Sequence, residues 1–580
     1  MIAQENRPLA RDLFILFITF SFFFITLLGS HALLIPDEGR YSEIAREMLA
    51  RGDYITPHLN GTIFLDKPIL FYWLEALSIK LFGLQEWSLR LWPALFGIAG
   101  CMMMYIVGCL LFSRRAGILA AFILSTTILY FLSAHYVNMD LEVAVWISAA
   151  LLSFIISMQY DNKRILLLAY VFSGLAVLTK GLIGIVIPAL VIGSWGACLK
   201  RWNLLLKINL GVGLFIISII TAPWYMLAQR ATPDFFHYFF ITQHFSRFLT
   251  HHFNGHQPFW FYLPVVLIGF FPWTVFLFQM LIKKIAWVGR EPKKYQSDLF
   301  LLLWILVILL FFSLPSSKII GYILPIFPPM ALLMGSYFDS VWNHFSDHSK
   351  DSVFLRTGTF IFIILASLIA LSLFGLVYYA GYNPMASGHF MQVNLPRLKI
   401  ASHYFYAIAG LLFFMAMIAI WQLRSKTLLG LVINFTVGMA CLLFIFVATV
   451  PKIHLLSTKP LAIKLATYLK PFDTVISYHQ YYQDLPLYLR RPITVVDNWN
   501  AENIAEKDNW RRELWGGSHF QKSSEWLIDD KDFEEYFVPG QSRFYILTDA
   551  FSFKQLQKKN HKLYELDRYD NILLLSNKKN

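Results

Sequence analysis

The sequence predicts an α-helical multi-pass membrane protein, with about 13 transmembrane helices, that ends in a soluble α/β domain. Hydrophobic residues make up 57% of the chain and charged residues only 15%, whereas soluble proteins carry about 25% charged residues. Long apolar runs recur as far as residue 449, and short β-like runs replace them beyond that point. The charge deficit and the apolar runs predict the membrane part, and the change of pattern predicts the final domain.

Apolar runs that approach or exceed the length of a membrane span follow one another through the first 450 residues. They lie at 12–31, 91–112, 116–133, 143–158, 165–179, 182–198, 208–226, 259–281, 298–314, 319–336, 357–380, 402–423 and 427–449. Basic pairs mark alternate loops, such as Arg114-Arg115, Lys200-Arg201 and Lys283-Lys284. The positive-inside rule places these loops and the N-terminus in the cytoplasm, and an odd number of spans then places the C-terminus outside.

The remaining loops form the outer face, and two of them are long and charged. Residues 32–90 and 228–258 are expected to hold interfacial helices of a transmembrane domain that covers residues 1–450. Residues 451–580 are expected to form an α/β domain on the same face, because β-like runs alternate there with helix-like stretches. The β-like runs are TVISY (474–478), ITVVD (493–497), FYILTD (544–549) and NILLLS (571–576).

The basic excess of the chain is explained by membrane topology. The formal net charge is +13, which in a soluble protein would suggest a nucleic-acid partner. Many of the basic residues, however, lie in short loops between apolar runs, so we expect no nucleic acid. The chain has four cysteines in apolar segments, without pairing or metal-binding spacing, and these are expected to be small core residues. They are Cys101, Cys109, Cys198 and Cys441.

The stretch DEGRYSEIAREMLAR (37–51) follows the first apolar run and predicts an amphipathic helix that lies flat at the membrane surface. Apolar residues recur at the spacing of one helix face, and charged residues fill the other face. Asp37 stands at the head of the apolar stripe, so its carboxylate is expected to point at protein. The pattern leaves two roles open for Asp37, an N-cap of the helix and a functional acid.

Asp66 and Lys67 stand between an apolar run and Pro68. Proline favours the first turn of a new helix, which places Lys67 beside free backbone N–H groups in an arrangement that binds anions. A lysine that snorkels to the membrane surface gives the same pattern, so the local sequence leaves both interpretations open.

Asp140 lies between two predicted spans, next to Glu142. Ionisable groups at a membrane boundary are costly unless they have partners, so Asp140 is a functional candidate, with an N-cap role as the alternative. Lys318 and Tyr322 stand four residues apart at the start of another span. Both are donors suited to a phosphate, and an interfacial Lys/Tyr anchor is the alternative.

Histidines recur in an aromatic-rich stretch of the second long outer loop. His237, His244 and His251 follow one another at seven-residue steps, and Arg247 follows His244 by three, so an α-helix would place all four on one face. Histidine clusters bind transition metals, which makes a divalent ion one interpretation. The other is an interfacial helix that docks a lipid phosphate with His and Arg. Cations beside acids on the outer face suit an enzyme that handles a lipid phosphate.

An ordered set of motifs covers most of residues 30–335. The motifs are DEGRYSEIAREML (37–49), DKPILFYWL (66–74), NMD (138–140), LTKG (178–181), QHFSRF (243–248), GHQPFWFYLP (255–264) and SKIIGYILPIFPP (317–329). This set resembles the polyprenyl-phosphate-dependent glycosyltransferases of the GT-C class. It is most similar to the bacterial aminoarabinose (lipid A) transferase group, which is related to protein O-mannosyltransferases. The resemblance implies a GT-C fold in the bacterial inner membrane, with the N-terminus in the cytoplasm and the C-terminal domain in the periplasm.

The resemblance also implies a reaction. A sugar, such as the aminosugar 4-amino-4-deoxy-L-arabinose, would pass with inversion from undecaprenyl phosphate to a lipid A phosphate. Asp37 and Asp140 would be catalytic and orient the sugar, and Asp37 would be a general base if the acceptor were a hydroxyl. The donor phosphate is expected to be bound by Lys67, Arg247, Lys318 and Tyr322, and the substrate by Glu38 and Tyr41.

One departure from the family pattern concerns a metal. Close members have Glu where this chain has Asp66, and in them a divalent metal bridges that acid, the histidine matching His244 and the donor phosphate. The resemblance implies a divalent ion (Zn, Mg or Mn) on Asp66 and His244, although the Asp66 side chain is one methylene shorter than the glutamate of close members. No nucleotide is needed. Because Asp66 also resembles more distant members, transfer to protein or another surface glycan stays open, and a transporter is a third alternative. The expected partners are the lipid-linked sugar, its acceptor and membrane lipid, and the chain is expected to be a monomer.

Overall fold

The computed structural model describes residues 2–579 except 202, 204–206, 247–255, 343–349, 383–398, 426–427, 454–456, 500–503, 505–508, 519, 521–524, 538–541 and 560–561. The chain divides into two compact units. The first, which we call the helical unit, comprises Met1–Ser30, Arg90–Thr221 and Pro258–Ile453. The second, which we call the mixed unit, comprises His31–Leu89, Ala222–Gln257 and His454–Asn580.

The helical unit consists of α-helices and short 3₁₀ segments. The α-helices are Ile2–Ile25, Leu91–Leu111, Arg114–Ser125, Ile128–Ala134, Met139–Tyr160, Lys163–Lys180, Ile183–Cys198, Leu210–Ala231 (whose end belongs to the mixed unit), Tyr262–Gly269, Leu277–Arg290, Gln296–Ser313, Phe327–Val341, Lys350–Tyr382, Ser402–Ser425 and Leu428–Thr449. The 3₁₀ segments are Phe259–Phe261, Trp273–Phe276, Ile320–Ile326 and Val450–Lys452. Each apolar run predicted from the sequence therefore overlaps one or more of these helices.

The protein is a multi-pass membrane protein. Within the described part of the chain, eight helices are long and apolar enough to cross a membrane, or up to ten if each of two bent pairs counts as one span. The bends are 68° between Arg114–Ser125 and Ile128–Ala134, and 107° between Phe259–Gly269 and Trp273–Arg290. The predicted count of about thirteen is not confirmed, partly because helices such as Ile183–Cys198, with 16 residues, are short for a span.

Small residues bring helices of the helical unit into close contact. A Cβ atom added to Gly108 would collide with the backbone of Gly117, and one added to Gly335 would collide with the backbone of Ala116 and Ala120. Without a strong hydrophobic drive between helices in lipid, such close backbone approach provides the packing energy. Helix Arg114–Ser125 is thus packed through its small residues against two neighbours.

Lys284 differs from its predicted role as a basic loop residue. Its side chain is 1% exposed, and its ammonium donates to Asp298 at 2.9 Å and to Ser336 at 2.8 Å. A buried charge persists only when it is paired and hydrogen-bonded, and Lys284 meets both conditions. It therefore joins helices Leu277–Arg290 and Gln296–Ser313. Both Lys283 and Lys284 lie within helix Leu277–Arg290 and not in the predicted loop.

The four cysteines are free, as their spacing predicts, but not all belong to the core. Cys101 is buried and Cys109 is half-buried, whereas Cys198 and Cys441 are exposed. The core prediction is wrong for these last two, because a membrane helix can present apolar residues to lipid and need not bury them.

The mixed unit combines helices with a β-hairpin and a larger sheet. Its helices are Asp37–Arg51, Leu70–Phe82, Glu86–Leu89, the π-helix His237–Ser246, Lys459–Tyr468, Leu485–Leu489, Trp510–Ser518, the 3₁₀ segment Asp532–Phe537 and Ala550–Lys558. The hairpin pairs β1 (His58–Leu59) with β2 (Thr62–Ile63). Its turn residues Asn60 and Gly61 both have positive φ, at 50° and 80°, as the tightest hairpin turns require.

The larger sheet has six strands in the order β5-β4-β3-β6-β8-β7. The strands are β3 (Thr474–Tyr478), β4 (Thr494–Asp497), β5 (Leu527–Asp529), β6 (Phe544–Asp549), β7 (Tyr564–Tyr569) and β8 (Ile572–Ser576). β3 to β6 are parallel, and β8 and β7 add in antiparallel fashion. The four predicted strands are confirmed, and they are the ones whose residues are mostly buried.

Candidate active site

The residues singled out in the sequence fall into both units. Asp37, Glu38, Tyr41, Asp66 and Lys67 belong to the mixed unit. Asp140, Lys318 and Tyr322 belong to the helical unit. Each unit holds one cluster of side chains: the Asp37 cluster (Asp37, Arg40, Tyr41, Tyr72 and Glu513) in the mixed unit and the Asp140 cluster (Asp140, Lys180, Gly321 and Tyr322) in the helical unit.

The Asp37 helix runs from Asp37 to Arg51, as predicted, and Asp37 is its first residue. The N-cap position is Pro36, and no side chain caps this end. Asp37 is therefore not an N-cap, and its carboxylate is instead ion-paired with Arg40, one turn later. The Asp37 side chain is 39% exposed, so it is accessible from outside the protein.

Arg40 joins Asp37 to the C-terminal segment of the mixed unit. Its guanidinium donates to Asp37 through Nη2 and to Glu513 through Nη1, and its Cζ lies 5.0 Å from the centre of the Tyr41 ring. Burial disfavours the charged guanidinium, but the negative charges of Glu513 and Asp37 outweigh it and hold the pKa of Arg40 well above its ordinary value. The cation is thus fixed in its charged form behind the accessible Asp37.

The polar face of the Asp37 helix contacts protein, whereas the position of the helix at the membrane surface stays a prediction. Glu43 and Glu47 are fully or nearly fully buried. Arg46 donates to both Glu43 oxygens at 2.6 and 2.7 Å, and Glu47 accepts from the Gly61 backbone at 3.0 Å. The charged residues of this helix therefore form ion pairs and hydrogen bonds with each other and with neighbouring residues, and this face packs inside the mixed unit.

Glu38 and Tyr41, predicted to bind substrate, lie on this helix. Glu38 is fully buried, and its carboxylate accepts the Leu34 backbone N–H at 2.8 Å, which orders the turn before the helix. The Tyr41 ring packs against Phe71 and Tyr72, with ring centres 5.8 and 6.2 Å apart. Helix Leu70–Phe82 thus supplies the aromatic wall behind the Asp37 cluster.

Asp66 and Lys67 lie in a turn shortly before helix Leu70–Phe82, as the proline in this motif predicts. The Asp66 carboxylate accepts a hydrogen bond from the Tyr238 hydroxyl at 2.5 Å. Both side chains are half-buried. Tyr238 belongs to the π-helix His237–Ser246, so this hydrogen bond joins the two long outer segments that the sequence singles out.

In the Asp140 cluster, a lysine supplies the partner that Asp140 needs. The N-cap of helix Met139–Tyr160 is Asn138, whose side chain accepts the N–H groups of Asp140 and Leu141, so Asp140 is not a cap. Lys180 donates to the Asp140 carboxylate and lies over the Tyr322 ring, 4.2 Å from its centre. The side chains of Lys180 and Asp140 are only 9% and 18% exposed.

Two neighbours position this ion pair. A Cβ atom added to Gly321 would collide with the Asp140 carboxylate, so glycine is required for the backbone to pass beside it. Glu142 is buried and accepts from the Thr179 hydroxyl at 2.9 Å and from the Trp146 indole at 3.2 Å. The Glu142–Thr179 contact fixes the end of the helix that carries Lys180.

Lys318 is nearly buried, and its ammonium donates to the Pro315 carbonyl at 2.5 Å. Desolvation by burial lowers the pKa of Lys318. Tyr322 stands four residues later in the 3₁₀ segment Ile320–Ile326, where its ring lies 5.7 Å from that of Phe312. Lys318 and Tyr322 thus stand at the start of the segment that follows helix Gln296–Ser313 within the helical unit.

The histidine prediction falls largely outside the described residues. Arg247 and His251 are not described, and His244 is described only as part of the π-helix. Residues at seven-residue steps share one face of an α-helix, but they do not share a face of a π-helix, because its turns contain more residues. The predicted histidine face therefore loses its basis. Among the described residues, no three His, Cys, Asp or Glu side chains converge as metal ligands. The metal on Asp66 and His244 stays a prediction.

Five residues of these clusters were not predicted as site residues: Arg40, Tyr72, Lys180, Gly321 and Glu513. Lys180 has a local signal, because it is a lysine at the end of an apolar run within the LTKG motif. Arg40 is one of the charged residues on the helix face opposite the apolar stripe, and its burial depends on tertiary packing. Glu513 stands 473 residues from Arg40, so no local pattern points to it.

Comparisons with known proteins agree with this architecture. A family model, the dolichyl-phosphate-mannose-protein mannosyltransferases, matches residues 10–239. The undecaprenyl phosphate-alpha-4-amino-4-deoxy-L-arabinose arabinosyl transferase of Erwinia tasmaniensis is 30% identical over 417 residues, which cover 71% of this chain and 73% of that protein. The protein of that name from Pectobacterium carotovorum is 32% identical over 364 residues, 62% of this chain and 64% of the relative.

A solved structure shares the whole fold. ArnT from Cupriavidus metallidurans bound to undecaprenyl phosphate matches with a TM-score of 0.83 and 23% identity, covering 98% of both chains. Its apo state matches with a TM-score of 0.81. This likeness shows the predicted GT-C fold, and the aligned relatives show the family. The chain therefore belongs to the family of undecaprenyl phosphate-alpha-4-amino-4-deoxy-L-arabinose arabinosyl transferases and is a glycosyltransferase of the GT-C class.

Proposed function

We propose that this enzyme transfers 4-amino-4-deoxy-L-arabinose from undecaprenyl phosphate to a phosphate group of lipid A, with inversion at the anomeric carbon. The observation that carries the proposal is the 417-residue alignment, at 30% identity, with a relative named for this sugar and this lipid carrier. The bond from the anomeric carbon to the carrier phosphate breaks, and a bond from the same carbon to an acceptor oxygen forms. Undecaprenyl phosphate leaves with the electron pair.

Asp37 and Asp140 are proposed to orient the sugar through its amine and to stabilise positive charge at the anomeric carbon. A repeated arrangement supports this assignment: each acid is ion-paired with a cation that lies over a tyrosine ring. A phosphate acceptor is already anionic, so the reaction needs no strong general base. A hydroxyl acceptor would instead make Asp37 the base.

Substrate binding beside Asp37 is supported by buried polar atoms. Within the described part of the chain, the Tyr72 hydroxyl and Arg40 Nε are buried without a hydrogen-bond partner. An unsatisfied buried polar atom costs about 1–3 kcal/mol, which a sugar hydroxyl or an ordered water could recover. We assign Tyr41 and Glu38 to the same substrate region, with Glu38 acting through the turn that it orders.

The donor phosphate is proposed to be held by Lys67, Arg247, Lys318 and Tyr322. Cations and hydroxyl donors stabilise the charge that develops on a leaving phosphate. The burial of Lys318 supports this role, because an ammonium in a poorly solvated position interacts strongly with an incoming anion. We also propose that Asp66 and His244 hold a divalent ion, which would supply Lewis-acid stabilisation of that phosphate. Asp66 offers an oxygen ligand already oriented by Tyr238.

The cellular placement follows from the same proposal. The basic loops and the N-terminus would face the cytoplasm, and the sheet of the mixed unit would lie in the periplasm of a bacterial inner membrane. An alkaline phosphatase reporter fused after residue 580 should be active, whereas one fused after Arg115 should be inactive.

Mass spectrometry of lipid A tests the reaction directly. The purified protein is incubated with undecaprenyl phosphate-linked aminoarabinose and lipid A, and the expected result is lipid A that gains the mass of the aminosugar. Asp37→Asn should abolish this gain while leaving the thermal unfolding temperature unchanged. Wild-type turnover by the variant would contradict the role of Asp37.

Transfer to protein is the second candidate, because the matching family model is that of protein mannosyltransferases. The same donor, offered with a mixture of periplasmic proteins and no lipid A, tests it. Glycosylated protein together with unmodified lipid A would replace the first proposal by the second.

A further inference from the structure

The helical unit contains a groove between three helices. It has a volume of about 720 Å³ and lies between Arg114–Ser125, the end of Phe327–Val341 and Leu428–Thr449. Leu429, Ile433 and Val437 follow one another at four-residue steps along one wall, and they are 56%, 51% and 56% exposed. In a membrane helix, such a wall is suited to a hydrocarbon chain that lies along the helix axis.

The other end of the groove is polar and aromatic. Arg115 lies 3.4 Å from the Asp339 carboxylate and 5.0 Å from the centre of the Trp342 ring. Ser113 donates to Asp339 at 2.7 Å, and the Arg114 guanidinium contacts both oxygens of Asp12. The groove thus changes from hydrocarbon-like to polar along its length, as the surface of a lipid does.

The polar end carries a net positive charge. Of the residues that line it, Arg114 and Arg115 are positive and Asp339 is the one carboxylate. Asp12, outside the lining, pairs with both Arg114 and Arg11. Each guanidinium has five N–H donors in a fork that fits phosphate. The side chains of Arg114 and Arg115 are 54% and 46% exposed, so their remaining donors can be reached by a headgroup.

We propose that this groove binds an anionic phospholipid, with the phosphodiester at Arg114 and Arg115 and one acyl chain along the Leu429–Val437 wall. The positive-inside rule places the Arg114-Arg115 loop at the cytoplasmic surface, where basic pockets between membrane helices bind anionic headgroups. Trp342 stands at the end of helix Phe327–Val341, beside Arg115, and an indole ring there suits a membrane interface. This site goes beyond the proposed transfer reaction and does not depend on it.

Native mass spectrometry of the full-length protein tests the proposal without any turnover. The protein is equilibrated with equal amounts of phosphatidylglycerol and phosphatidylethanolamine in detergent, and the bound lipids are weighed. The wild type should retain phosphatidylglycerol in preference. Arg115→Gln should lower its retention about fivefold, as expected for one charge near an anionic headgroup. Ile433→Trp, which fills the groove, should lower it without changing any charge.

Two control variants separate the groove from general effects. Arg164→Gln removes an exposed arginine from another basic loop and should retain phosphatidylglycerol as the wild type does. Arg115→Lys keeps the charge and should retain more phosphatidylglycerol than Arg115→Gln, which excludes misfolding as the cause. Equal retention of both lipids by the wild type would overturn the proposal. The proposal would also be overturned if Arg115→Gln and Ile433→Trp retained as much phosphatidylglycerol as the wild type. Displacement of phosphatidylglycerol by equimolar undecaprenyl phosphate would overturn it as well.

Discussion

Lys180 is held between Asp140 and Tyr322: its ammonium donates to the carboxylate and lies 4.2 Å from the centre of the aromatic ring. Arg40 occupies the same relation to Asp37 and Tyr41. A cation fixed in this way orients its carboxylate, because both the ion pair and the contact with the ring restrict its movement. The two acids, Asp37 and Asp140, were predicted from the sequence as site residues. The cations that orient them, Arg40 and Lys180, were not.

Lys180→Met should lower kcat/KM by at least about 100-fold, because it leaves Asp140 without its nearest cation in a poorly solvated position. Lys180→Arg should restore part of the activity, since it returns the charge with a different shape. The measurement is the initial rate of sugar transfer at several donor concentrations. Equal rates for the methionine and arginine variants would show that the charge of Lys180 is not needed.

Glu513→Gln should reduce turnover about 10- to 100-fold although Glu513 stands far from Asp37 in the sequence. The variant removes the negative charge that holds Arg40 behind Asp37, so Asp37 loses its orientation. The matched control is Glu534→Gln, which removes an exposed, lysine-paired glutamate from the same C-terminal segment. A loss of activity in both variants would point to a general effect of charge.

Gly321→Ala should displace the Asp140 carboxylate, because the new methyl group would occupy its position. We expect at least about a 10-fold loss of kcat/KM with a small change in thermal stability. Gly410→Ala is a suitable control, since a Cβ atom at Gly410 meets nothing within 4 Å. An active Gly321→Ala variant would mean that Asp140 can move without consequence.

Metal analysis of the purified protein tests the proposed ion on Asp66 and His244. Inductively coupled plasma mass spectrometry should find about one divalent ion per chain, lost in Asp66→Asn and in His244→Ala. Tyr238→Phe should weaken metal retention by less than either ligand variant, because it removes only the hydrogen bond that orients Asp66. Full occupancy in both ligand variants would remove these residues from any metal site.

Asp484 should make the mixed unit more stable as the pH falls. This carboxyl group is buried, accepts hydrogen bonds from Ser457 and Thr458, and has a pKa raised by burial to about 6. Because the folded pKa lies above the unfolded value, the folded state binds the proton more tightly between these two values. The free energy of unfolding should therefore rise on acidification through this window, by up to roughly 3 kcal/mol.

Thermal unfolding of the full-length protein at pH 7 and pH 5 measures this effect. Relative to Asp484→Asn, which cannot titrate, the wild type should gain stability at pH 5. Asp570→Asn, at an exposed turn, should follow the wild type. A parallel response of wild type and Asp484→Asn would assign the pH dependence to other groups.

Local patterns were sufficient for the elements that bury continuous apolar surface. The membrane helices and strands such as β6 and β8 were predicted because their sequences are apolar throughout. β7, YELDRY, was missed because it is a partly exposed edge strand with charged residues, and β5 because it has only three residues. The Asp37 helix was predicted at its observed bounds, but the burial of its charged face was not predicted, because periodicity does not reveal which residues cover a polar face.

The candidate site also divides into residues that local sequence patterns reveal and residues that only the fold brings together. Asp37, Asp140 and Tyr322 carry local signals, since a charged or polar residue at the end of an apolar run is costly without a purpose. The partners of these residues come from distant positions, and contacts over such separations depend on the completed fold.

The contact between Arg40 and Glu513 also has a consequence for the order of synthesis. At roughly 5–20 residues per second, the ribosome needs about half a minute to two minutes to extend the chain from the Asp37 helix to residue 580. During this interval the Glu43–Arg46 pair can form within the helix, but Arg40 must wait for a residue 473 positions away. The segment that begins the candidate active site is synthesised early and reaches its final partners only when translation is nearly complete.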